Sequence, residues 1–250
     1  MSPQDYRRAF SKASSAASYD EKVYATGSSA EILWRIEKRI LRKIAEEVVS
    51  RRTNPTYLDF ACGTGRVLAS LEDLAELAVG VDVSMAMLDR AKEKCKRARL
   101  LCKDIAQPET EIEGQYDLIT CFRFLTNAEP SLRAAALRAL HKRLKDDGVL
   151  IINTHGNPWS YRLLLLPYHW AKDVLAGRPL YGYLSNKSTK YMLDAAGFRV
   201  MRIVGMGFVP QKLVPPIPLQ WATAVETALA GVPIVQSFGL NQVFVCTKKK

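Results

Sequence analysis

The amino-acid sequence predicts an α/β fold in which a largely parallel sheet is covered by helices on both faces. Three observations carry that prediction. Between residues 56 and 153 short apolar runs alternate with helix-period stretches, the order that parallel strands joined by crossover helices require. A glycine turn, Gly63-x-Gly65, joins the first of those runs to the stretch after it. Turn-forming pairs, Asn54-Pro55 and Asp147-Gly148, punctuate the helical stretches.

Each element has its own warrant. Residues 1–27 are rich in Ser and Ala, carry three tyrosines and read as a loose arm. Ser28-Ser29-Ala30-Glu31 has the form of a capping box. Ile32, Ile36, Ile40, Ile44 and Val48 then recur every four residues, which predicts a helix with one apolar stripe that Asn54-Pro55 ends. Thr56 to Phe60 is the first strand, running into Ala61-Cys62-Gly63-Thr64-Gly65. A helix to about Leu77 follows, then a strand from Ala78 to Asp82, a helix from Ser84 to about Arg97 and a strand from Ala98 to Lys103. After a Pro/Glu loop, Tyr116 to Phe122 is the fourth strand. Pro130 suits the first turn of a helix reaching Leu144, stopped by Asp147-Gly148 before a strand from Val149 to Asn153. Beyond Thr154 the rhythm breaks into an aromatic insertion, residues 156–184, placed where a substrate pocket is walled. Ser185 to Ala196 is a helix closed by Gly197, and Phe198 to Met206 and Asn241 to Thr247 are strands. Between these lies a Pro-rich connection, residues 210–239, with Lys212 and Glu226 as its charges.

Length and composition narrow the class. Two hundred and fifty residues make one large domain, and 48% hydrophobic with 24% charged residues excludes a disordered or collagen-like chain. The net charge of +11 suggests nucleic acid until it is located. Residues 1–57 hold 11 basic and 7 acidic residues, residues 58–155 hold 14 and 15, and residues 156–250 hold 11 and 3. The excess therefore lies in the flanks. Five cysteines without a CxxC spacing argue against a disulfide framework and against a structural zinc site, so no metal is expected. The N-terminus has no apolar h-region, and no uncharged stretch reads as a spanning helix. A soluble, cytoplasmic protein is the expectation.

The glycine turn opens a helix as a dinucleotide fingerprint does, but the third glycine position is Leu68, which works against close approach of a pyrophosphate. A purely structural turn stays open. Asp82 ends the second strand 23 residues after Asp59, where a carboxylate accepts from both hydroxyls of a ribose. With Ser84 it equally suits a helix N-cap. Asp104 ends the third strand and fits either an adenine amino group or a solvated loop.

Taken together, these segments resemble class I S-adenosylmethionine-dependent methyltransferases. Leu58-Asp59-Phe60-Ala61-Cys62-Gly63-Thr64-Gly65 is similar to the family's first motif. Gly80 to Ala91, with Ser84, Met87 and Leu88, resembles the next segment. Lys103-Asp104-Ile105 resembles the adenine-side motif, Tyr116 to Phe122 the fourth strand, and Leu140 to Ile152 the helix and strand that close the core. The resemblance spans residues 19 to 155 well and the last helix and two strands more loosely. It implies a Rossmann-like seven-stranded sheet, mostly parallel with the last strand antiparallel, an N-terminal lid helix and acceptor-side insertions. It also implies one domain over residues 1–250: arm, lid and helix (1–53), cofactor core (54–155), and acceptor-side insertion with closing hairpin (156–250). The implied cofactor is S-adenosyl-L-methionine. Ala61, Gly63 and Gly65 would line its methionyl part, Asp59 would hold the turn and the ammonium, and Asp82 the ribose. Asp104 and Ile105 would take the adenine, and Phe122 the floor near the methyl group. Ser84 and Met87 belong to the same cofactor segment. Ala61 stands where the family usually has glycine. Tyr19 and Tyr24 fall where family members carry a mobile lid, or form an exposed aromatic arm.

The acceptor side is less defined. A hydroxyl acceptor calls for a base, for which His155 in Asn153-Thr154-His155-Gly156-Asn157 is the candidate beside a loop-shaping role. His141 is expected to be solvated, and His169 falls in the aromatic insertion. Arg123 suits a carboxylate, phosphate or sugar-phosphate, or an ion pair with Glu129. Cys-Phe-Arg-Phe replaces the Asp/Asn-Pro-Pro-aromatic segment of amino-methylating nucleic-acid enzymes, and Cys121 reads as a buried strand cysteine. The basic run from Arg90 to Arg99 reads as a solvated helix face. A small-molecule acceptor, oxygen or nitrogen, is therefore expected, with nucleic acid or a non-catalytic cofactor-binding adaptor as alternatives. Apolar bulk with few acids in the C-terminal third fits either a pocket wall or contact with an anionic membrane surface.

Overall fold

The computed structural model describes residues 29–104, 106–107, 112, 114–161, 163, 175, 184–208, 218–230 and 232–249. The lid tyrosines Tyr19 and Tyr24, Ser28 of the capping box, Ile105, His169 and most of the aromatic insertion lie outside the described residues. In chain order the elements are α1 (Ser29–Val49), β1 (Thr56–Phe60), α2 (Leu68–Leu71), β2 (Leu77–Asp82), α3 (Met85–Lys94), β3 (Arg99–Cys102), β4 (Tyr116–Cys121), α4 (Pro130–Arg143), β5 (Leu144–His155), α5 (Asn186–Ala195), β6 (Phe198–Met206), α6 (Leu219–Ala230), α7 (Pro233–Gln236) and β7 (Asn241–Lys248).

The strands form one seven-stranded sheet in the order β3-β2-β1-β4-β5-β7-β6. β1 to β5 pair in parallel, and β7 runs antiparallel between β5 and β6. The mixed sheet with a reversed last strand is thus borne out. Both faces are buried, because side chains alternate along each strand. Leu58, Phe60, Ile119 and Cys121 point into one core, with Leu132, Leu137 and Leu140 of α4 and Leu193 of α5. Tyr57 and Leu118 point into the other, with Leu41 and Ile44 of α1, Leu68 and Leu71 of α2, and Leu88 of α3. The chain moves outward from β1 to β2 and β3, then returns to β4 on the other side of β1. That reversal opens a crevice beyond the C-terminal ends of β1 and β4.

Four expectations are corrected. The helix after the glycine turn ends at Leu71 and tightens into a 3₁₀ turn over Glu72–Leu74. There Glu72 turns inward and accepts backbone N–H bonds from Lys96, Arg97 and Ala98 at 2.8–3.0 Å. Asp147-Gly148 does not stop a helix: α4 ends at Arg143, and β5 begins at Leu144 and carries the pair inside it. Gly148 is required by crowding, since a Cβ there would lie 2.8 Å from Leu144 Cδ1 and 2.9 Å from the Tyr116 carbonyl oxygen. The Pro-rich connection contains α6 and α7, hidden in the sequence because apolar residues occur all round α6. His141 is half-buried, edge-on to Phe198 with ring centroids 5.2 Å apart.

The α7–β7 turn lies directly on β6. A Cβ at Gly205 would stand 1.9 Å from the Gln236 carbonyl oxygen. Gly205→Ala is expected to cost about 1–3 kcal/mol, measured by urea unfolding; an unchanged midpoint would show that the turn does not press on the strand.

Candidate active site

The crevice at the switch in strand order holds a cavity walled by strand ends and the loops after them. From β1 and its turn come Asp59, Ala61, Gly63 and Arg66; from β2 and α3, Asp82 and Met87; after β3, Lys103 and Asp104; after β4, Phe122, Arg123 and Asn127. The sequence-predicted residues Asp59, Ala61, Gly63, Asp82, Met87, Asp104, Phe122 and Arg123 are thus brought together.

The turn is built from left-handed backbone. Ala61, Gly63 and Gly65 have φ of 54°, 55° and 75°, a region costly for any residue with a Cβ. Ala61 therefore carries strain where glycine would carry none. The two glycines serve different ends. A Cβ on Gly63 would meet nothing within 4 Å, leaving its open side to the cavity, whereas one on Gly65 would lie 2.8 Å from Ala91 Cβ and 2.9 Å from Cys95 Sγ. Gly65 lets the turn close on α3; it is not among the lining residues. Leu68, at the third glycine position, is fully buried in the core.

Asp82 bridges two loops. Its Oδ2 accepts from Gly63 N and its Oδ1 from Ser84 N, both at 2.9 Å. Burial raises its pKa, and the amides of Ser84 and Gly63 pull it back. Both carboxylate oxygens keep lone pairs for a ligand. Ser84 Oγ accepts from Met87 N and caps α3, so Ser84 is spent on the helix, while Met87 faces the cavity. Asp104 closes a turn through Ala106 N at 3.1 Å.

Asp59 is the most perturbed acid of the site. Neighbours across the β1–β4 register place it beside Thr120, whose hydroxyl donates to Asp59 Oδ1 at 2.6 Å. Tyr57 Oη lies 2.7 Å from the same Thr120 oxygen, giving a buried chain Tyr57–Thr120–Asp59. Asp59 Oδ2 is buried and has no hydrogen-bond partner among the described residues. Burial raises the Asp59 pKa to about 7, against the Thr120 hydroxyl, the Leu68 amide and the Arg66 charge that lower it. Tyr57 and Thr120 escaped the sequence reading, because only the register between two strands links them to Asp59.

Arg123 also has a left-handed φ, 59°. Its backbone N–H donates to Asn153 Oδ1 at 2.7 Å, Asn153 Nδ2 donates to Glu37 Oε1 at 2.9 Å, and Glu37 Oε2 faces the Arg123 guanidinium at 3.4 Å. The carboxylate facing Arg123 thus comes from α1, 86 residues away, a pairing no sequence window shows. Glu37 and Asn153 are fully buried. Arg66, which directly follows the glycine turn, lies over Trp34 of α1 with its guanidinium 4.4 Å from the ring. Both cavity arginines are therefore braced by one turn of α1.

His155 is the last residue of β5, paired with Asn241 of β7, and its Nδ1 lies 2.7 Å from Thr126 Oγ1. Its neighbour in that pair is followed by Asn127, which lines the cavity, but His155 is not among the lining residues. Cys121 is fully buried, and burial pushes its thiol well above the usual range, which suits packing rather than nucleophilic attack.

Residues 33–203 match a family model described as a methyltransferase domain. The chain is 33% identical over 138 residues to a malonyl-[acyl-carrier protein] O-methyltransferase of Priestia megaterium, covering 52% of this chain and 45% of that protein. It is 30% identical over 104 residues to a carboxy-S-adenosyl-L-methionine synthase of Helicobacter pylori, covering 39% and 42%. The chain thus spans less than half the length of these relatives. Among solved structures it is similar to magnesium protoporphyrin IX methyltransferase from Synechocystis PCC 6803 with bound SAH, at a TM-score of 0.65 and 16% identity over 97% of each chain. It is similar also to an S-adenosylmethionine-dependent methyltransferase from Clostridium acetobutylicum, at 0.57 and 17% over 94% of this chain and 98% of that one. At these identities the likeness is one of fold.

The raised pKa of Asp59 makes a signed prediction. The unfolded chain releases this proton near pH 4 and the folded chain near pH 7, so the parent protein loses stability as pH rises between the two. Asp59→Asn removes that loss. It should be neutral below pH 4 and stabilise by roughly 4 kcal/mol above pH 7, read from urea unfolding across pH. A variant stabilised equally at both ends would contradict the shift.

Proposed function

This chain belongs to the methyltransferase domain family, and on that premise we propose that it is an enzyme moving a methyl group from S-adenosylmethionine to an oxygen or nitrogen of a small-molecule acceptor. The observation that carries the proposal is the acid-lined cavity at the reversal of strand order, where Asp59, Asp82 and Asp104 share the wall with Gly63, whose Cβ position is open. The residues present fit the cofactor. Asp59 offers a carboxylate to an ammonium, Asp82 and Asp104 offer lone pairs to ribose hydroxyls and an adenine amino group, and Phe122, Val81, Met87 and Leu132 supply apolar wall. When bound, S-adenosylmethionine supplies an electrophilic methyl group on a sulfonium.

The chain's own work is then alignment and exclusion of water. Arg123, held by Glu37 and Asn153, presents a fixed guanidinium at the mouth and anchors an anionic group of the acceptor. The relative named as an O-methyltransferase supports oxygen as the receiving atom.

Calorimetry tests the cofactor assignment. The parent protein should bind S-adenosylmethionine, and Asp82→Ala should weaken binding by about tenfold to a hundredfold. Absence of binding by the parent, or saturation by a nicotinamide dinucleotide instead, would sink the proposal. Labelled methyl transfer into a host extract, split into metabolite, lipid, RNA and protein fractions, tests the acceptor class, and label in RNA alone would overturn it. With an acceptor in hand, the position of His155 outside the wall predicts that His155→Ala keeps kcat within about twofold; a loss of a hundredfold or more would mark it as a general base after all.

A further inference from the structure

Two segments leave the sheet at the edge that holds the cavity. β5 ends there at His155, β6 ends there at Met206, and β7 starts there at Asn241, antiparallel to both. Asn157 ties the two segments together. Its Nδ2 donates to the carbonyls of Ser237 and Gly239 at 2.8 and 3.0 Å, and its Oδ1 accepts from Trp159 N at 3.2 Å.

Around this tie the chain leaves large apolar side chains in water. Trp159 is 59% exposed, Trp221 63%, Ile234 80% and Phe238 52%, and Val225 and Val232 are exposed beside them in the chain. Trp221 and Val225, four residues apart, share a face of α6. Soluble monomers rarely expose apolar bulk of this density without a partner for it.

The segment that forms this face is poor in acids. The single acid between residues 218 and 240 is Glu226, which is fully buried and accepts from Gly207 N and Phe208 N at 2.8 and 2.9 Å. Beside α6 runs a groove whose other wall is α1, with Arg39, and Arg35 paired to Glu31, opposite Pro218, Gln220, Ala224 and Thr227. Lys38 and Lys43 are exposed on the same helix.

We propose that this face, formed by α6, α7 and Trp159, seats the protein on an anionic lipid surface, with the cavity edge turned toward it. Tryptophan and phenylalanine beside aliphatic side chains match the boundary between headgroups and acyl chains. Guanidinium and ammonium groups at the border match lipid phosphates. A second copy of the chain would set the same cations face to face, which opposes self-association through this surface. The proposal concerns where the protein sits and is independent of the methyl-transfer reading.

Co-sedimentation of the full chain with vesicles tests it, using phosphatidylcholine alone and phosphatidylcholine with about one third phosphatidylglycerol. The parent should partition at least about tenfold more strongly to the anionic vesicles, and added salt should weaken that binding. Ile234→Asp, Trp221→Ser and Arg39→Glu should each weaken it by about tenfold or more while leaving the circular-dichroism melting curve in place. Tryptophan emission of the parent should shift to the blue with anionic vesicles. No binding to those vesicles, equal binding to both kinds, or variants that bind as the parent does would overturn the proposal. So would self-association of the parent that these same substitutions abolish.

Discussion

A carboxylate buried in the middle of the sheet is the constraint around which this site is arranged. Asp59 must be carried by a central strand to reach the cavity, so burial is unavoidable, and burial raises its pKa to about 7. The Thr120 hydroxyl, itself bonded to Tyr57, satisfies one oxygen from within the protein, and the other is buried with no side-chain or backbone partner among the described residues. An unpartnered buried carboxylate is costly. The fold tolerates it because two well-packed cores lie above and below.

Around this centre, charges on the acceptor side are braced rather than free. Arg66 reaches the cavity from the turn after β1 and Arg123 from the loop after β4, and both lean on residues of α1, Trp34 and Glu37. The two bracing residues stand three apart and so share one helix face. The first helix thus contributes more than its apolar stripe. It braces both arginines of a cavity that is also lined by Asp59, Asp82, Lys103 and Asp104.

How much of this was legible in the sequence varies with the range of the interaction. Apolar strands alternating with helices, the Gly63-x-Gly65 turn and the spacing from Asp59 to Asp82 are local signals. They led to the sheet, the cavity and eight of the residues lining it. Gly65, Ser84 and His155 were placed by type and position alone. The N-cap alternative for Ser84 was local and legible, whereas the contacts of Gly65 with α3 and of His155 with Asn241 and Thr126 depend on packing between distant segments. For the same reason Tyr57, Thr120, Glu37 and Trp34 were missed: strand register and helix docking bring them in. α6 was missed because its apolar residues show no clear period, and the face it leaves in water became visible only when its surroundings were known.

The central claim is that Asp59 waits, protonated about half the time near neutrality, for a positive group. Calorimetric titration with S-adenosylmethionine at about pH 6, in two buffers of different ionisation enthalpy, measures the protons released on binding. The account predicts release of nearly one proton in the parent protein at this pH, where the ligand's α-amino group is already protonated, and none in Asp59→Asn. Binding without proton release at about pH 6 would contradict it.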